Sequence, residues 1–179
     1  PKDPRTLFYL AQSYRDSGHH AKAIKYYKKR LEITDDGFKD ELEIAAIEIS
    51  KAMMKLKKSP AECIHWTMKA WTYNPYRIEP AIIIMEVYML QEMHFAAFAI
   101  AQAAASIADD DHVNLHKSDY DRYVRFRAHY AYCCYRIGLY DLAVSNLEMV
   151  LSFDMPEEEK SVHEGHLEVY KQALEKAKK

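Results

Sequence analysis

Apolar positions recur with the period of an α-helix along most of the chain. Between Pro4 and Glu32, Leu7, Leu10, Ala11 and Tyr14 form one stripe, and Ala23, Ile24, Tyr27 and Leu31 form a second. This spacing predicts two amphipathic helices joined at Ser17-Gly18. Asp3 is placed to cap the first helix, Pro4 suits its opening position, and Gly18 can close it in a left-handed conformation. The pattern then returns. Ala45, Ile49, Ala52 and Leu56 mark a helix over Leu42–Leu56, and Ser59-Pro60-Ala61-Glu62 reads as a capping box opening another that runs to about Tyr73. Ile84, Met85 and Tyr88 are followed, across a turn at Glu92-Met93-His94, by Ala97, Ala101 and Ala104. Tyr130 and Ala131 precede Gly138, with Ala143, Leu147 and Val150 beyond it. Pro156 and three glutamates start a last helix that ends in Lys176, Lys178 and Lys179, the charge order a helix dipole favours. The polar runs Thr34–Gly37 and Asp109–Asp119 interrupt the pattern as a turn and an insertion. No hairpin of this kind buries both its apolar faces alone, so each requires its neighbours.

The spacing resembles the tetratricopeptide repeat (TPR), a helical hairpin of about 34 residues. With Pro4 as repeat position 1, Leu10 and Ala11 fall on the paired large and small sites, Tyr14 and Tyr27 on the aromatics, Gly18 on the turn and Ala23 on the small residue of the second helix. His20 stands where the repeat has tyrosine, and Arg30 where it has its last alanine. Cys63, Thr67, Ala70 and Pro75 continue the frame after an offset placed in the 35–40 loop. The resemblance implies an all-α fold of one domain, residues 1–179. Its TPR-like units lie at about 4–38, 41–76, 78–109 and 120–155, forming a right-handed superhelix with a capping helix over 156–178. It also implies an inner groove lined by fixed positions of each first helix. In the first unit these are Arg5, Phe8, Tyr9, Gln12, Arg15 and Asp16; in the fourth, Arg125, Ala128, His129, Tyr132, Tyr135 and Arg136. The third offers Glu79, Ile82, Ile83, Glu86, Met89 and Leu90. Arg5, Tyr9, Gln12, Arg15, Arg125, His129, Tyr132 and Arg136 are therefore the candidate partner-binding residues, since arginine and tyrosine are enriched at binding hot spots.

A narrower resemblance rests on the run Asp3–Gly18 and on Asn74-Pro75-Tyr76-Arg77-Ile78-Glu79-Pro80. Both are similar to the repeat region that follows the catalytic domain in a family of glycosyltransferases. The likeness implies a non-catalytic accessory region of a larger sugar-transferring enzyme, holding a protein partner, a glycan acceptor or its own upstream catalytic domain. Two other readings stand beside it: direct participation in transfer by binding acceptor or nucleotide sugar, and a free-standing adaptor. The start at Pro1 rather than Met reads as the cut end of a longer protein.

Composition narrows the chemistry. Twenty-five basic against 27 acidic residues leave a net charge of −2, which gives no field to recruit nucleic acid or an acidic membrane. No run of eighteen apolar residues occurs, and three cysteines make no disulfide framework, so a reducing, cytoplasmic setting is expected. Cys63, Cys133 and Cys134 read as buried structural thiols. Asp109-Asp110-Asp111 invites comparison with the paired aspartates of sugar-nucleotide transferases, but it lies in an insertion after an alanine-rich helix and reads as a solvated loop. His112 and His116 share a helical spacing without a third ligand, and His163 and His166 have still less support as a metal site. With no glycine-rich phosphate loop and no nucleophile elbow, no catalytic residue, cofactor or metal is expected within this chain.

Overall fold

Asp3 begins the first helix as its spacing requires: its Oδ2 accepts the Thr6 amide at 2.7 Å. The computed structural model describes residues 3–33, 39–109 and 118–179. Every element among them is helical. They are α1 (Pro4–Asp16), α2 (His20–Leu31), α3 (Lys39–Lys55), α4 (Pro60–Tyr73), α5 (Glu79–Met89), α6 (His94–Asp109), α7 (Arg127–Arg136), α8 (Tyr140–Leu151) and α9 (Glu157–Ala177). A π-helical stretch, Tyr120–Phe126, leads directly into α7. The chain divides into two compact units, Pro1–Val87 and Tyr88–Lys179.

In the first unit α1 packs on α2, α2 on α3 and α3 on α4. The expected stripe residues Ala11, Ala23, Tyr27, Ala45, Ile49 and Ala70 are fully buried. Tyr14 lies half-buried, stacked on Tyr26 at 5.3 Å, so the ring fully enclosed in this hairpin is Tyr27. Arg30, which departs from the repeat's alanine, is also fully buried. Its charge is met by Glu41 of α3 at 2.9 Å and by the Ile33 carbonyl at 2.6 Å. Thr67, at the aromatic position of the second repeat, donates to Ser50 Oγ at 2.8 Å, and Ser50 donates to the Cys63 carbonyl at 2.9 Å. This buried network replaces ring packing between α3 and α4.

In the second unit Ala97, Ala101 and Ala104 line the buried face of α6, and Phe98 and Phe126 pack against Tyr130 at 5.9 and 6.0 Å. Ala143, Leu147 and Val150 are the buried face of α8, on which α9 packs. Among the described residues no helix is long and apolar enough to cross a membrane.

Among the described residues four hairpin turns close in one way. The amides of His19, Lys58, Met93 and Leu139 each reach back five residues, to the carbonyls of Tyr14, Met53, Tyr88 and Cys134, at 2.8 to 3.0 Å. The residue just before each takes a positive φ: 76° at Gly18, 53° at Lys57, 59° at Glu92 and 82° at Gly138. This is the glycine-favouring helix closure, and at Lys57 and Glu92 a side chain bears the steric cost.

Several expectations need correction. Ser59 makes no side-chain cap bond, so the capping box is absent; Pro60 alone marks the helix start. Leu56 lies beyond the end of α3 and is exposed, because Lys57 turns the chain away. Phe8, Ile82 and Ile83, assigned to the groove by repeat position, are core residues. The turn at Thr34–Gly37 and the residues Asp110, Asp111, His112 and His116 lie outside the described residues, as does the side chain of Asp109.

Candidate functional site

The groove candidates separate into two stripes, one in each unit. On α1, Arg5 donates from Nη2 to the Tyr9 hydroxyl at 3.0 Å and lies 3.6 Å from Glu41. Arg15 pairs with its neighbour Asp16 at 2.8 Å and with Glu48 of α3 at 3.4 Å. Gln12 lies half-buried between them. Glu41 thus serves Arg5 and the buried Arg30 together, and Glu48 serves Arg15 and Lys51. The first unit's arginines are bound into its own structure.

The Asn74–Pro80 run is equally engaged. Arg77 forms a fork onto Glu79, with Nε–Oε2 at 2.8 Å and Nη2–Oε1 at 2.5 Å, and its Nε lies 3.3 Å from the buried Glu43. The Trp71 indole donates to the Arg77 carbonyl at 2.8 Å. Burial raises the Glu43 carboxyl to about 7, against the opposing pull of Arg77 and with Glu79 adding to the rise. Burial disfavours the charged form, and one guanidinium shared between two carboxylates does not fully offset it.

In the second unit Arg125, His129, Tyr132 and Arg136 follow one another on successive turns. Arg125, near the end of the π-helical stretch, reaches Asp121 at 3.3 Å. His129 and Tyr132 line a cavity of about 330 Å³ together with Leu147 of α8 and His163, His166 and Tyr170 of α9. Met89 and Ala128 complete its apolar lining. Tyr170 stacks on Tyr135 at 4.5 Å, which holds α9 over one end of the α7 stripe. The Tyr120 hydroxyl donates to Glu159, and Lys171 pairs with Glu148 at 2.9 Å, so α9 is tied at three points. Arg136, at the exposed end of the stripe, donates to the Tyr132 hydroxyl at 2.6 Å with its guanidinium 5.6 Å from that ring.

Two imidazoles in this unit are shifted toward their neutral form. Burial lowers His163, with Glu159 opposing, and lowers His94, with Arg136 adding to the effect. His94 stands edge-on to Tyr132 at 5.6 Å with neither ring nitrogen hydrogen-bonded, and His163 Nδ1 is likewise buried without a partner. Such unsatisfied polar atoms are uncommon in native interiors. No group of three or more His, Cys, Asp or Glu able to hold a metal occurs among the described residues. Cys63, Cys133 and Cys134 are buried and free, and burial pushes the Cys133 and Cys134 thiols up to about 12, as expected of inert packing residues.

Repeat position pointed to the α7 half of this cavity but not to α9. His163, His166 and Tyr170 recur at i, i+3 and i+7, a face that reading the histidines only as metal ligands passes over. The buried Arg122 and Arg127 were also missed; Arg127 is held by Asn146 Oδ1 at 3.1 Å across α8.

The described residues form an all-α protein built of helical hairpins, and the hairpins are those of the TPR fold. The crystal structure of YrrB, a TPR protein with an unusual peptide-binding site, matches with a TM-score of 0.66 at 18% identity, covering 98% of this chain and 81% of that one. That of MamA matches with a TM-score of 0.63 at 16% identity, covering 97% of this chain and 89% of its own. No protein-family model and no curated protein matches the sequence.

Proposed function

We propose that this chain is a non-catalytic protein-interaction module that holds a peptide segment of a partner at the α7–α9 cavity. The observation that carries the reading is the cavity itself: an aromatic and imidazole lining with an exposed arginine beside it. The structural likeness to a protein with a peptide-binding site adds to it. Arg5, Tyr9, Gln12 and Arg15 recede to a structural role in this reading, because the acids of α3 engage the arginines. His129, Tyr132 and Arg136 remain as contacts, with Arg125 as a half-buried neighbour.

The finer reading, an accessory region of a glycosyltransferase, rests on the Asp3–Gly18 and Asn74–Pro80 resemblance. In it the Arg77 latch serves the repeat scaffold rather than sugar chemistry. A free-standing adaptor is the alternative, and three buried thiols suit either in a reducing compartment such as the cytoplasm. The test is an NMR titration of the whole chain with a mixed peptide library, nucleotide sugars and acceptor glycans in turn. Saturable shifts at His129, Tyr132 and Arg136 with peptides alone are expected. Shifts there with sugars and none with peptides would overturn the reading in favour of an acceptor-holding or donor-holding part of a transferase.

A further inference from the structure

Resting on that interaction-site reading, we infer that the occupant of the α7–α9 cavity is a peptide segment with an aromatic side chain directly beside an acidic one. The acidic requirement comes from charge complementarity. Arg15, Arg30, Arg77 and Arg125 each lie within 4 Å of a carboxylate of this chain. Among the described residues Arg136 has no such carboxylate: its hydrogen-bond partner there is the neutral Tyr132 hydroxyl, and the guanidinium is exposed. One edge of the planar fork is turned to Tyr132, which leaves donors for a bidentate carboxylate.

The aromatic requirement comes from the walls. Tyr132 and Tyr170 present rings, and His163 and His166 present imidazoles held 6.4 Å apart. Offset or edge-on packing against such rings stabilises an inserted aromatic beyond its buried area. About 330 Å³ is at the small end of ligand sites, room for one large side chain rather than an extended ligand. The two requirements meet at Tyr132, whose ring lines the cavity while its hydroxyl holds Arg136. An aromatic seated against that ring therefore has its neighbouring side chain at the guanidinium.

The experiment uses the full chain and four blocked peptides that differ only at a central pair: Asp-Tyr, Asp-Phe, Lys-Tyr and Asp-Ala. Binding is followed by NMR at millimolar peptide. The Asp-Tyr and Asp-Phe peptides are both expected to shift His129, Tyr132, His163 and Arg136 saturably. Lys-Tyr and Asp-Ala should lose about tenfold or more in affinity, and Arg136→Gln should weaken Asp-Tyr about tenfold while leaving Lys-Tyr unchanged. Arg136 is exposed, so this variant is expected to fold, and an unchanged amide spectrum elsewhere checks that. Equal binding of all four peptides, or no effect of Arg136→Gln, overturns the acidic-aromatic occupant and leaves the interaction site standing. Silence from every peptide at the cavity overturns both.

Discussion

Helices α1 and α7 each open a hairpin and each carry an arginine hydrogen-bonded to a tyrosine one turn away, Arg5 with Tyr9 and Arg136 with Tyr132. Their surroundings make them different surfaces. The helix that follows the first hairpin, α3, brings Glu41 and Glu48 against α1 and engages Arg5 and Arg15. The helix that follows the last hairpin, α9, brings His163, His166 and Tyr170 instead, with burial lowering the pKa of His163. Arg136 is left facing solvent beside an aromatic cavity. In stacked hairpins, then, the composition of one helix face does not decide whether it can bind. The next helix decides, by supplying or withholding the opposite charge.

Substitutions in both units test that contrast, the largest expected effect first. Glu41→Ala removes the carboxylate shared by Arg5 and the buried Arg30 and should destabilise the protein by about 3 kcal/mol in urea unfolding. A loss below about 0.5 kcal/mol would mean that α3 does not hold the α1 arginines in this way. Next is the surplus acid at Glu43. Its carboxyl keeps a proton up to about pH 7 when folded and releases it near 4.5 otherwise. Between those values the folded state binds more protons, so stability should fall as pH rises through the window, by on the order of 2 kcal/mol. Glu43→Gln should flatten that slope; an unchanged slope assigns it to other groups.

The turns give a smaller effect and a control, because they do not differ between the units. Each unit has one glycine and one side-chain residue at the left-handed position. Glu92→Gly and Lys57→Gly should each stabilise by about 1 kcal/mol. Gly18→Ala and Gly138→Ala should cost about as much, with no clash to add, since nothing lies within 4 Å of the new Cβ. Unequal responses in the two units would show that they differ in more than their faces. The smallest effect is expected at Arg136→Glu, a change in stability under about 0.5 kcal/mol. Arg15→Glu, which sets a second acid against Glu48, should cost clearly more.

The fold was legible because helix period and small-residue spacing are properties of single segments. Ala23, Tyr27, Ala143 and Leu147 are buried where the stripes put them, and Asp3, Gly18 and Gly138 act where their chemistry assigned them. Features that depend on a second segment were not legible. Phe8, Ile82 and Ile83 are buried because of what packs on them, and Arg30 is tolerated only because Glu41 arrives from the next helix. The π-helical stretch Tyr120–Phe126 has no glycine or proline to announce it. Lys57 and Glu92 show that a turn geometry can be imposed on residues that local preference argues against. Half of the candidate site followed from repeat position along α7; the half on α9 needed the packing of Tyr170 on Tyr135.

The three buried thiols carry one more consequence. Cys63 belongs to the first unit and Cys133 and Cys134 to the second, and each is at most 1% exposed. A thiol reagent can reach them only when the surrounding helices part, so its reaction rates act as a pair of clocks already present in the unaltered chain. Trapping at Cys63 times the opening of one half, and trapping at the Cys133-Cys134 pair times the other. A segment bound between α7 and α9 should slow the second clock and leave the first running.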